Sequence, residues 1–381
     1  MNAESTFAGR TCPLVMQAGF RVFFLAAAAW AALGMLLYLA QLSDIRVMAP
    51  AFSLVDWHIH EFLFGYTGAV IAGFVLTAVP SWAGRSPVGG PRLFALLAVW
   101  LAGRAAIAWG GGLGASLVAA VDLAFPLVLM LLIGRNVPVL ALIGLFLLAN
   151  AGFHHEVATT GEADHSVRAG IAVVLTLIVL VGGQVIPAVT RDWMNEHDDP
   201  ALPPDFDVFD GVTIAVSAFA LGLWTMMPYA PTSALLLAFA GVLNFARVAR
   251  WHGSHVHAEG LLAILHIAYA FIPLGLLAMA VAAFDPLLMP PSAAMHLLTI
   301  GAIAMMTLAV MTRTGLDYTR QPLHADRMIL AVYIALMLSL LARVAYALEP
   351  GYALLIASAA LWIVTFVLFL WRFGFLASGR R

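Results

Sequence analysis

Apolar residues run through this chain in long blocks, not at the spacing of an amphipathic surface helix. Twelve blocks, each of roughly 18–26 residues, are long enough to cross a hydrocarbon core as helices. They begin near Phe20, Trp57, Leu93, Leu113, Val137, Val167, Val208, Thr232, Glu259, Ala293, Met328 and Tyr352. Short polar connections separate them. The pattern predicts an all-α fold, a polytopic bundle of about 12 transmembrane helices with the lipid bilayer as its main partner.

The longest connection, residues 191–207 (RDWMNEHDDPALPPDFD), is acidic and holds Pro200, Pro203 and Pro204. It marks candidate halves, 1–190 and 208–381, within a single integral membrane domain of residues 1–381. The only internal echo is His58–His60–Glu61 against His255–His257–Glu259, at different spacing, which does not amount to a repeat.

Composition agrees with the pattern. Hydrophobic residues make up 63% of the 381 and charged residues 10%, against about 25% charged in soluble domains. The formal net charge of −2 and the absence of lysine give nucleic-acid binding no electrostatic basis. Cys12 is the only cysteine, so an internal disulfide is excluded, and any metal must use histidine, methionine, carboxylate or backbone ligands. The first apolar block is too long for the core of a cleavable signal and reads as a spanning helix. With N and C termini cytoplasmic, fourteen arginines lie on the inner side and four (Arg46, Arg104, Arg168 and Arg343) on the outer. That asymmetry is the positive-inside bias that sets both termini on the cytoplasmic side.

Histidines then fall into place. His58 and His60 lie near the outer end of the second helix, Asn150, His154 and His155 at the outer end of the fifth, and His296 at the outer start of the tenth. Imidazoles from distant segments at one depth are a ligand pool for a metal or haem iron, and an ionisable group inside a bilayer marks a functional site. On a regular helix His58 and His60 diverge by about 200°, so at most one faces a given centre. His154 and His155 diverge by about 100° and suit two centres, or one centre and one supporting bond. Glu61 shares a face with His58 and is placed to orient it. Asp122, mid-helix, needs a partner, which Arg104 or Arg343 would supply; a structural ion pair and a proton-relay acid both fit. His266 lies in an apolar helix, suited to an interhelical hydrogen bond or a cofactor. His165, His197, His252, His255, His257 and His324 read as loop residues. Arg85, Arg191 and Arg313 are candidates for anionic or structural contacts at the inner face.

The sequence resembles the NnrS family of bacterial membrane proteins. The resemblance rests on WHIHEFLFGY from Trp57 with the following AVIAGFVLTAVPSWAGR, on NAGFHH from Asn150, VIPAVTR from Val185, LHIAY from Leu265, HLLTIGA from His296 and MTLAVMTR from Met306. It departs from the family at Tyr318, where a histidine is expected, and at Gln184, where an arginine often precedes the VIP segment. The resemblance implies twelve helices, haem b and copper as cofactors, nitric oxide as the small ligand, and a role in resisting nitrosative stress. His58, His60, His154, His155 and His296 are then the metal pool, with His266 a further cofactor candidate and Glu61 and Asn150 in support. Two other activities fit the same residues: a transporter of copper or haem, and a quinol-linked nitric oxide reductase.

Overall fold

In a computed structural model, residues 6–7, 10–11, 13–82, 88–133 and 137–378 are described. Among them, twelve helical spans are long and apolar enough to cross a membrane, one for each apolar block. They are α1 (Gly19–Leu42), α2 (Leu54–Pro80), α3 (Pro91–Trp109), α4 (Ala115–Ile133), α5 (Val139–Thr160), α6 (Asp164–Glu196), α7 (Val208–Met226), α8 (Pro231–Ala249), α9 (Gly260–Phe284), α10 (Pro291–Asp317), α11 (Arg327–Leu348) and α12 (Tyr352–Ser378). The only strand pairing among these residues joins Thr6–Phe7 to Arg10–Thr11. Large apolar side chains such as Leu131, Phe219 and Trp371 are exposed on the spans, as lipid-facing residues must be.

The helices form two compact units, one of residues 1–170 with 366–381 and the other of residues 171–365. The acidic connection 191–207 lies inside the second. In the first unit, α1 packs along α2, α3 on α4, and α4 on α5. Small residues allow the approach: Gly73 of α2 lies against Phe23 and Phe24 of α1, and Thr77 Oγ1 accepts the Phe20 N–H at 3.1 Å. In the second unit, α8 packs on α7 and α9, α9 on α10, and α10 on α11.

Three spans depart from regular winding through π-helical stretches at Glu61–Tyr66, Ile178–Gly182 and Leu297–Ala304. Such turns redirect side chains and often mark functional sites. Pro126 in α4 and Pro187 in α6 also matter locally. Proline has no N–H, so the carbonyls four residues earlier, at Asp122 and Gly183, lose their helical donors.

Candidate metal centre

The site is built on the first turns of α2. The helix starts at Ser53, whose Oγ accepts the Asp56 N–H at 3.1 Å and donates to the Asp56 carboxylate at 2.6 Å. This reciprocal cap fixes the entry angle and sets His58 and His60 on different sides. The His58 ring is half-buried between Tyr38 and Phe62, with centroids 4.6 and 4.7 Å away. His60 is fully buried. Its ring lies 5.1–5.4 Å from those of Phe52, Phe64, Phe153 and His154.

Glu61 does not hold His58. Its Oε1 lies 3.1 Å from His60 Nδ1 instead. The π-helical stretch begins at Glu61, so the i, i+3 geometry expected of a regular helix does not apply there. On the other side of the ring, His60 Nε2 is 3.0 Å from Asn150 Oδ1 and 3.2 Å from Asp122 Oδ2. Asp122 is the hub. Its Oδ2 accepts from Asn150 Nδ2 at 2.8 Å and from His154 Nε2 at 3.1 Å. Arg104 closes the ring, donating from Nη1 to Glu61 Oε1 at 2.6 Å and from Nη2 to Asp122 Oδ1.

Glycines make room for this arrangement. A methyl group at Gly65 would strike the Arg104 guanidinium, and one at Gly103 would press on Asp122. The Gly65 carbonyl is held in turn by Trp100 Nε1 at 3.1 Å. Glu61, Arg104, Asp122, Asn150 and His154 are all buried with His60. Water is therefore a minor partner, and the charges act at full strength on one another.

The donor chemistry follows from who faces whom. His60, His154 and Asp122 each bring one ligand atom to within 4.8 Å of the others, a two-nitrogen, one-oxygen set supplied by three helices. Both ring nitrogens of His60 face acceptors: Glu61 on one side, and Asn150 Oδ1 and Asp122 Oδ2 on the other. A neutral imidazole carries one N–H and cannot satisfy both sides. The ring is either an imidazolium, or its Nε2 lone pair meets a cation. The fixed charges agree, because Arg104 offsets only one of the two carboxylates, and one more positive charge completes the balance. Glu61 Oε2 and Arg104 Nε, both buried, have no hydrogen-bond partner, so the cluster is not fully satisfied by its own residues.

The other predicted residues take no part in the hydrogen bonds of this cluster, belong to the second unit, or fall outside the described residues. His155 is exposed, on the neighbouring face of α5. His296 and His266 belong to the second unit, where His296 Nδ1 donates to the Ser292 carbonyl at 2.6 Å and His266 Nε2 meets Thr190 Oγ1 at 2.9 Å. Arg191 donates to the Pro203 carbonyl at 2.9 Å and pairs with Asp205 at 2.6 Å. Arg313 is half-buried near the end of α10. Arg85 lies outside the described residues. The sequence reading did not make Asp122 a ligand; its signal was an acid and a base, Asp122 and Arg104, in the interiors of consecutive apolar helices.

The second unit holds a contrasting network. Arg247, fully buried, donates to Asp210 at 2.6 Å, the Val179 carbonyl at 2.8 Å, Tyr269 Oη at 2.9 Å and the Gly183 carbonyl at 3.4 Å. Val179 lies in a π-helical stretch, and the Gly183 carbonyl is the one Pro187 leaves without a helical donor. Local winding thus creates the acceptors that one arginine satisfies, a structural role.

The family model described as NnrS protein matches residues 14–381. Against curated proteins the chain has no match.

Proposed function

The chain belongs to the NnrS family, and from that premise we propose that it serves the nitric oxide response of a bacterial cytoplasmic membrane, holding a copper ion between His60, Asp122 and His154. The supporting observation is the His60 ring, whose two nitrogens both face acceptors although the residue is fully buried. Imidazole nitrogen with one carboxylate suits a divalent copper ion. Such an ion supplies a centre to which a diatomic gas can bind. The protein's own groups do the rest. Glu61 fixes the orientation of His60, Asn150 braces His60 against Asp122, and Arg104 holds both carboxylates in place. Phe52, Phe64 and Phe153 keep water away, while nitric oxide enters through lipid.

The close packing of Phe52, Phe64 and Phe153 around the His60 ring leaves room at this cluster for an ion and not for a porphyrin. Haem b, which the family resemblance implies, would take its axial imidazole from His58, His155, His266 or His296.

Metal analysis of the purified protein reconstituted with Cu(II) tests the reading. One tightly held copper is expected, lost in His60→Ala and in His154→Ala, with matching loss of survival under nitric oxide. Copper retained in both variants would overturn it.

A further inference from the structure

A second pair of histidines is prepared for a metal at the ends of the spans in the second unit. The connection between α8 and α9 carries His257, and that between α10 and α11 carries His324. Two spans separate these connections, so both emerge on the same side of a membrane. They line one cavity of about 470 Å³, together with Asp326 and Arg327.

Each ring has its tautomer set by a neighbour. His257 Nδ1 lies 2.5 Å from the Ser254 carbonyl, which can only accept, so Nδ1 carries the proton. His324 Nδ1 lies 2.9 Å from Glu259 Oε2 and donates to that carboxylate. In both neutral rings the lone pair therefore sits on Nε2. Metal-ligating histidines almost always donate their other ring N–H to a carboxylate or backbone carbonyl, and here one ring has each kind of partner.

Glu259 is also fixed. Its Oε1 accepts the Leu261 N–H and the Ala325 N–H, each at 3.1 Å, so one carboxylate ties both connections together and aims His324. The rings are thus oriented before any ion arrives. Arg327 opposes a cation in the cavity, and the Asp326 carboxylate, which caps α11 through the Ile329 N–H at 2.9 Å, offsets it.

We propose that His257 and His324 form a surface site for a borderline divalent ion of the zinc and copper class, bound through their two Nε2 atoms with water completing the shell. The site is accessible and has only two protein ligands, so it exchanges its ion, unlike the buried cluster.

The probe is Zn(II), titrated calorimetrically into the full chain in detergent. H257Q/H324Q is expected to bind one equivalent fewer than the unsubstituted protein. An isotherm that superimposes on the unsubstituted one would overturn the proposal. A second measurement needs no variant. Diethylpyrocarbonate modification read by mass spectrometry is expected to show zinc protecting His257 and His324 together, and equal modification with and without zinc refutes the site. Neither result depends on the buried centre, whose equivalent is removed by His60→Ala and not by H257Q/H324Q.

Discussion

Asp122 and Arg104 decide whether the first unit holds together around its polar cluster. Removing one partner of a buried ion pair strands the other and costs about 3–5 kcal/mol. Arg104→Met leaves one of the two buried carboxylates, Glu61 and Asp122, uncompensated, so equilibrium unfolding in detergent should register a loss of that size. Glu61→Gln is milder, since its amide oxygen still accepts from His60 Nδ1. Copper affinity should fall about 10–100-fold, the usual effect of losing a supporting carboxylate, whereas Asp122→Ala removes a ligand and the hub and should abolish binding. Equal affinity in the Glu61 and Asp122 variants would contradict the assigned roles. Part of this was legible in the sequence. Two opposite charges inside apolar helices already called for each other, and Arg104 was one of two arginines in reach. What stayed hidden was that Asp122 touches histidines from two other helices, because spacing along one helix carries no information about its neighbours. The Glu61 partner was misread for a local reason: a π-helical stretch gives no clear signal in residue type, and it voids the angular rule used to place the side chain.

Among the elements, α6 to α9 show how helix irregularities are tied off. Arg247 gathers carbonyls from the irregular part of α6, and Tyr269 Oη links it at 2.9 Å to the Asn244 side chain at 2.8 Å. Tyr269→Phe should cost roughly 1–3 kcal/mol by leaving buried donors and acceptors short, measurable as a lowered thermal midpoint with no change in bound copper. The start of α7 offers a pH test. Asp207 and Asp210 form a reciprocal cap, and Arg250 donates to the Asp207 carboxylate. The Arg250 hydrogen bond, chiefly, holds the Asp207 carboxyl down at about 2 from its ordinary 3.8. A depressed carboxyl stabilises the fold above its unfolded value, and the contribution fades as pH falls from about 4 towards 2. Asp207→Asn should therefore lower the thermal midpoint at pH 7, with the gap to the parent protein closing only below about pH 4. The twelve apolar blocks gave the helices because length and hydropathy suffice to specify a span. They did not reveal the irregular turns, which depend on partners far away in the chain.

Orientation belongs to the whole molecule, and on the copper reading proposed above it decides from which side the ion would reach the buried cluster. An even number of spans puts both termini on one side. Of the four arginines assigned to the outer side, Arg104 is locked in the buried cluster, and Arg168 and Arg343 lie within α6 and α11. Only Arg46 stands in an outer connection, whereas Arg250 and Arg320 stand in connections of the opposite side. Arginine in the connections therefore still favours cytoplasmic termini, with less interference from residues that have other work. Topology reporters fused near residue 200 and at the C-terminus should read cytoplasmic, and those inserted at residues 43–53 or 285–290 periplasmic. His60, within two turns of the start of α2, would then sit close to the periplasmic face, and Cu(II) added outside intact cells would reach it without crossing the bilayer. His257 and His324 would face the cytoplasm. A periplasmic signal from residue 200 would reverse both statements at once, placing the cluster at the inner face and the exchangeable pair outside.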